Sequence, residues 1–154
     1  MDDVKRQQIL DLLVTSYNME IETIANYIAN SEHLDGVRAQ HIKQSLADDV
    51  AEELGHAQLL AKRIKTLDGN IPGSQSLSWT QTSLQPPADT LDVLSVIKGV
   101  VEAEKGAVDQ YQKLIIAAGD DDPVTADLCT TIKADEEEHH RLFKGFLTDA
   151  QRWT

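Results

Sequence analysis

Apolar residues recur at intervals of three, four and seven along four long stretches of this chain, with polar breaks between them. Ile9, Leu13, Tyr17, Ile24 and Ile28 form the first series, which predicts a helix over residues 3–31. A polar link through Asp35 and Gly36 leads to Ile42, Leu46, Val50, Leu60, Ile64 and Leu67. This second helix, over 36–68, is ended by Gly69, and Pro72-Gly73 confirms the break. From Gly69 to Asp89 the chain carries Ser, Gln, Thr and a Pro-Pro pair without helical period, so it reads as an extended crossover that Trp79 is expected to pin down. Thr90 is placed to cap a third helix over 90–118, whose stripe is Leu94, Ile97, Val101, Val108, Tyr111 and Ile115. Asp122 as cap and Pro123 at the first helical position start a fourth over 123–150, with Leu128, Ile132, Phe143 and Phe146 on one side. Two short links and one long connection between the second and third helices define an all-α, antiparallel four-helix bundle.

Length and charge set bounds on this picture. A chain of 154 residues suits one domain over 1–154, large enough to hide roughly two-thirds of its surface in one core. The net charge of −12 opposes nucleic acid and acidic membranes as partners and suits a protein that attracts cations. Cys129 stands alone, which excludes an intramolecular disulfide framework and fits a reducing cytoplasm; on its stripe it reads as a small core residue. Met1-Asp2-Asp3-Val4-Lys5 is not a signal peptide, and charges recur too often for any segment to span a bilayer.

Candidate chemistry lies in the acidic residues that fall on apolar stripes. Glu20 shares its stripe with Leu13, Tyr17, Ile24 and Tyr27, whereas Glu22 falls with Asn18 and Asn26 on the polar side. Glu104 has Ile97, Val101, Val108 and Tyr111 as helical neighbours, while Glu102 sits with Lys98, Lys105 and Asp109. In the second helix Glu53 and His56 follow Leu46 and Val50; in the fourth Glu136 and His139 follow Cys129 and Ile132 toward Phe143, which leaves His140 at the surface. A Glu and a His three apart share one helical face. Composition alone predicts about 0.3 Glu-x-x-His pairs in such a chain, so two on core faces carry information. The spacing also repeats: each lone Glu precedes a Glu-x-x-His by nearly the same interval and has a Tyr seven residues later, Tyr27 and Tyr111, as in a duplicated helical hairpin. Four buried carboxylates are untenable without positive charge, and four Glu with two His make the ligand set of a carboxylate-bridged pair of iron or manganese ions.

These residues also carry a resemblance. Glu20-Ile21-Glu22-Thr23-Ile24-Ala25-Asn26-Tyr27, Glu53-Leu54-Gly55-His56-Ala57, Glu104 with Tyr111, and Asp135-Glu136-Glu137-Glu138-His139 resemble bacterioferritin, within the ferritin-like superfamily, across all four helices. The resemblance implies a di-iron ferroxidase centre inside the bundle. In it Glu53 and Glu136 bridge the metals, Glu20 and Glu104 each chelate one, and His56 and His139 complete the two coordination spheres. Tyr27 matches the family's tyrosine beside the site and is the candidate catalytic residue, with a core aromatic as the alternative reading. Leu54 stands where the haem-ligating methionine would fall, so haem is not expected. No more than Thr148 to Thr154 remain at the end of the fourth helix, in place of the fifth helix of 24-subunit cages, so a twelve-subunit shell like that of Dps-like relatives, or a dimer, is the expected homo-oligomer. Oxidation of Fe(II) by dioxygen or hydrogen peroxide, for iron storage or detoxification, is the implied activity. The alternatives are a di-iron or di-manganese oxidase or peroxidase acting on another substrate, and a structural helix bundle without metal. Asp48, Asp49 and Glu52 are candidates for nucleating mineral, or a solvated face.

Overall fold

In the computed structural model, which describes residues 1–153 and so leaves Thr154 of the expected range outside the described residues, four helices account for most of the chain: α1 Asp3–His33, α2 Gln40–Thr66, α3 Val93–Ala118 and α4 Pro123–Ala150. Each is about 40 Å or more long at 1.5 Å per residue. Two single 3-10 turns, Ser74–Ser76 and Thr82–Leu84, interrupt the connection between α2 and α3, and there is no strand among the described residues. The chain is therefore an all-α four-helix bundle with one long crossover. No helix among the described residues is long and apolar enough to cross a membrane.

Caps fix three of the helix starts. The Asp2, Asp92 and Asp122 carboxylates accept from the backbone N–H groups of Lys5, Ser95 and Thr125, each satisfying an otherwise unpaired first-turn donor. The third helix thus starts two residues beyond the expected Thr90 cap, because Asp92 offers the stronger acceptor. The second starts at Gln40, later than expected, because Gly36 at φ +94° turns the chain and Ala39 closes that turn onto the Gly36 carbonyl.

The helices pair as two hairpins, α1 with α2 and α3 with α4, which meet mainly through α1 and α3. Their buried side chains divide into two apolar layers along the bundle. One holds Tyr27, Leu46, Ile97, Val100 and Phe143; the other holds Ile9, Leu13, Leu60, Ile64, Leu114 and Ile132, with Tyr111 and Cys129. A polar layer lies between them. Ile28, expected in the first stripe, is 49% exposed, because a helix of 3.6 residues per turn drifts away from a strict seven-residue interval.

The crossover is strapped to α1 by hydrogen bonds. Asn18 exchanges two with Ser78, Gln81 N–H donates to the Glu22 carboxylate at 2.6 Å, the Gln81 amide donates to Thr23 and accepts from Asn26, and the Asn30 amide donates to the Leu84 carbonyl. Glu22 is therefore buried beneath the crossover and not on a solvated face. Trp79 does not pin the segment, being 59% exposed; Leu84 is its buried anchor.

Backbone contact replaces side-chain contact where the crossover meets α3. A Cβ on Gly99 would lie 2.1 Å from the Ser83 carbonyl oxygen, whereas one on Gly106, in the same helix, would meet nothing within 4 Å. Gly99→Ala is expected to destabilise by about 1–3 kcal/mol through forced backbone displacement. Gly106→Ala is expected to stabilise by about 0.4–1 kcal/mol by restricting the unfolded chain. Chemical denaturation of the two variants checks both signs.

Candidate metal centre

The polar layer is built by one turn from each helix. Glu20 comes from α1, Glu53 and His56 from α2, Glu104 from α3, and Glu136 and His139 from α4, and all six are buried. Their i, i+3 spacing on α2 and α4 sets each histidine one turn from its own glutamate, facing the bundle axis.

Two overlapping sets result, in each of which the ligating atoms lie within 4.8 Å of one another: Glu20, Glu53, His56 and Glu136, and Glu53, Glu104, Glu136 and His139. Individual distances divide the carboxylates by type. Glu53 turns Oε2 to His56 Nδ1 at 3.8 Å and Oε1 to His139 Nδ1 at 3.3 Å. Glu136 turns Oε1 to His56 Nδ1 at 3.0 Å and Oε2 to His139 Nδ1 at 3.6 Å. Glu20 faces only His56, at 3.7 Å, and Glu104 only His139, at 3.8 Å. Two carboxylates therefore span both histidines and two serve one each.

Every one of the six retains a buried atom without a hydrogen-bond partner: Glu20 Oε2, Glu53 Oε1, His56 Nδ1, Glu104 Oε2, Glu136 Oε1 and His139 Nδ1. Orphaned polar atoms are rare in folded interiors and costly, so six converging on one point call for a common partner. Hard carboxylate oxygens and imidazole nitrogens are donors that suit Fe(II) or Mn(II), and they fit such a pair of ions.

Electrostatics point the same way. Burial, reinforced by Glu20, pushes the Glu53 carboxyl up to about 8; burial and the neighbouring Glu136 do the same for Glu104, also to about 8. Glu20 is raised too, by burial first and by Glu136. Burial alone would lower the two histidines, but the carboxylates around them, Glu136 and Glu104 first, overcome it and hold both imidazoles well above their ordinary range. Protons thus stand in for cations in this cluster.

Around the six lie the expected Tyr27 and others, Tyr111 and Asp135 among them, that the sequence did not mark as part of the site. The Tyr27 hydroxyl donates to Glu104 and the Tyr111 hydroxyl to Glu20, each reaching from one hairpin to the lone glutamate of the other. Tyr27 so placed contacts the cluster directly, and Tyr111 does so equally. On the far side of the histidines, His56 Nε2 meets Asp135 Oδ2 at 2.9 Å, and His139 Nε2 meets Glu52 Oε2 at 2.7 Å and Asp49 Oδ1 at 3.4 Å. Burial lifts Asp49 to about 7 against the opposing pull of His139. Asp49 and Glu52 are thus turned onto His139, and of the three acids expected to nucleate mineral only Asp48 keeps a wholly solvated position, beside Gln44. The missed signals were present: a second Tyr at the same interval as the first, and an acid immediately before each Glu-x-x-His. His140 is half-buried and takes no part in the cluster, and Cys129 is a buried free thiol whose titration burial pushes up to about 12.

Between α1 and α3 a narrow cleft reaches the cluster, with room for about one water molecule (10 Å³), lined by Ser16, Thr23, Gln81, Ala107 and Gln110 beside the two tyrosines.

Known proteins share this arrangement of helices. The chain is 28% identical over 146 residues to the DNA protection during starvation protein of Pyrococcus furiosus, covering 92% of this chain and 78% of that one. It superposes with a TM-score of 0.82 and 26% identity on a dodecameric thioferritin, the bacterioferritin-related protein of Bacteroides fragilis, covering 96% and 88% of the two chains. A ferritin-like diiron-carboxylate protein of Bacillus anthracis str. Ames shares the fold with a TM-score of 0.79 at 22% identity, covering 96% and 99%. The ferritin family, described by its ferritin-like domain, matches residues 10–153, and the chain belongs to it.

Proposed function

We propose that this protein is a ferroxidase that oxidises Fe(II) at a di-iron centre held by Glu20, Glu53, His56, Glu104, Glu136 and His139. The observation that carries the reading is the pair of four-ligand sets sharing Glu53 and Glu136, each member with an orphaned atom. Two carboxylates that span both histidines suit bridging ligands, and the two that serve one histidine each suit terminal ligands. Bound there, a pair of Fe(II) ions supplies two electrons to one dioxygen, which with two protons leaves as hydrogen peroxide, or to one hydrogen peroxide, which with two protons leaves as two waters. The chain's own part is to gather the cations, balance their charge and keep the reacting point dry between the two apolar layers. Tyr27 and Tyr111 orient Glu104 and Glu20 through their hydroxyls, and Tyr27 is the proposed catalytic tyrosine.

Size favours this over an oxidase for an organic substrate. The cleft beside the cluster has room for about one water, which suits a small oxidant. A purely structural bundle is disfavoured by the same six unpaired atoms, since packing alone would select apolar residues there. The Pyrococcus relative is named for protecting DNA, but a net charge of −12 gives this chain no electrostatic hold on a phosphate backbone, so protection by removing iron and oxidant fits better than coating. A homo-oligomeric shell of twelve chains, as in the Bacteroides relative, is the proposed assembly, in the cytoplasm and without haem.

Anaerobic titration is expected to give two Fe(II) per chain and rapid oxidation on adding dioxygen or peroxide. Glu53→Ala is expected to lose both ions and the rate together; retention of either overturns the assignment. Light scattering is expected to give a mass near that of twelve 17.0 kDa chains, and a particle that never retains ferric iron would redirect the reading from storage to oxidation alone.

Protons held by the cluster must leave as metal enters, so loading is expected to release protons and to weaken as pH falls below about 8, where Glu53 and Glu104 become protonated. In metal-free protein the sign reverses. A carboxyl raised from its ordinary 4.5 to about 8 favours folding below pH 4.5, and that contribution is lost as pH rises through 8. Metal-free protein is therefore expected to lose stability between those limits. Glu104→Gln, which needs no proton to be neutral, is expected to flatten the loss and to be more stable than the metal-free parent by roughly 1–3 kcal/mol at pH 8.

A further inference from the structure

We infer that Gln81, carried by the crossover, is the gate of the cleft that leads to the cluster, and that it restricts what enters to molecules the size of dioxygen or hydrogen peroxide. The inference rests on the metal reading above and names how the oxidant of that site is selected. Among the described residues that line the cleft, Gln81 alone does not belong to a helix; the others stand on α1 to α4. The helical walls are fixed by packing, and two of them are tied together where the Gln110 amide of α3 donates to Ser16 Oγ and to the Leu12 carbonyl of α1, each at 3.2 Å. Gln81 is held differently. Its backbone N–H donates to the Glu22 carboxylate, its amide donates to Thr23 Oγ1 at 2.7 Å, and its amide oxygen accepts from Asn26 at 3.1 Å. One loop residue thus grips three residues of α1.

This latch is built to release. Of residues 69–89 only Leu84 is buried, so lifting the segment before it exposes little new apolar surface, and Trp79 is exposed already. The far side is anchored: the Asn30 amide donates to the Leu84 carbonyl at 2.7 Å, and Ser83 lies against Gly99 of α3 with no room for a Cβ between them. On the near side Asn18 holds Ser78 by two hydrogen bonds. Residues 78–82 therefore form a short span whose contacts are polar, and water replaces such contacts when they part. Opening also returns the buried Glu22 carboxylate to water, which offsets part of the loss of its bond to Gln81. When closed, the cleft has room for about one water (10 Å³), so hydrogen peroxide passes with a small displacement of the Gln81 side chain, whereas a branched hydroperoxide is stopped by it. Ser16, Thr23, Gln81 and Gln110 around the opening are all uncharged, which suits a neutral oxidant. The acids that draw cations lie elsewhere, on α2 and α4 beside the two histidines.

The test uses the full-length chain, loaded with Fe(II) without air and then given hydrogen peroxide or tert-butyl hydroperoxide. Each tert-butyl hydroperoxide takes up two electrons from two Fe(II) and two protons and leaves as tert-butanol and water, so the chemistry is matched and the size is not. Relative to the ratio measured with free Fe(II), the parent is expected to favour hydrogen peroxide by about 100-fold or more. Gln81→Ala is expected to cut that preference by about tenfold or more by speeding the bulky oxidant, with hydrogen peroxide changed by less than about twofold. Gln75→Ala, exposed in the same crossover and outside the cleft, is expected to change neither rate. Hydrogen exchange on the metal-free protein gives a second reading. The Ser78 and Gln81 N–H groups are expected to exchange in step, about 100-fold or more faster than the amides of Val100 and Glu104 in α3, and Gln81→Ala is expected to speed Ser78 about tenfold. An unchanged preference in Gln81→Ala, or crossover amides that exchange as slowly as those of α3, overturns the inference. Exchange in the parent decides even where the variant fails to fold. If the parent takes up no Fe(II), it is the metal reading that fails, and the exchange result still judges the latch.

Discussion

Four carboxylates cannot share a low-dielectric core unless something positive joins them, and the middle layer of this bundle is organised by that requirement. In the proposed di-metal state two divalent cations would carry the four positive charges that the four glutamates need, leaving both imidazoles neutral as ligands. Without them the same residues hold protons: two carboxyls titrate near 8, and the histidines stay protonated far above their ordinary range. The burial that keeps the helices together lies elsewhere, in the apolar layers on either side. A site placed on rigid helices between two packed layers keeps its geometry while its charge changes.

How much of this could be read from the sequence depends on which kind of spacing carried it. Helical period placed four helices and the inward faces of Glu20, Glu53, Glu104 and Glu136, because burial of a charged residue on an apolar stripe is a local signal. Glu22 departs from that signal: its helical neighbours Asn18 and Asn26 are polar, the mark of a solvated face, yet the crossover folds over all three and buries it. Local pattern cannot distinguish water from a hydrogen-bonding loop as the partner of a polar face. Trp79 fails for the converse reason, since large apolar bulk in an aperiodic segment says nothing about which residue that segment inserts; Leu84 does so instead. Helix starts moved where a better cap lay nearby, at Asp92. Glu52, Asp135 and Tyr111 were visible as repeated features of the two halves, but their partners lie across the bundle, and a cross-bundle contact becomes definite only when the halves are docked.

That docking explains why the site sits where it does. The two hairpins touch chiefly through α1 and α3, and α2 and α4 meet along far less of their length. Most polar contacts joining α2 to α4 belong to the cluster or its rim: His56 with Glu136 and Asp135, and His139 with Glu53 and Glu52; Arg63, held by Asp122 and Thr125, adds one toward the bundle end. On the opposite side of the bundle, Tyr27 with Glu104 and Tyr111 with Glu20 join α1 to α3 by the same exchange. On the proposed reading, a cation pair seated among Glu53, Glu136 and the histidines would tie together two neighbouring helices that packing joins only loosely. Binding free energy spent on that link appears as stability of the folded bundle, since the unfolded chain holds no such constellation. Metal capture would in this way strengthen the docking of one hairpin on the other.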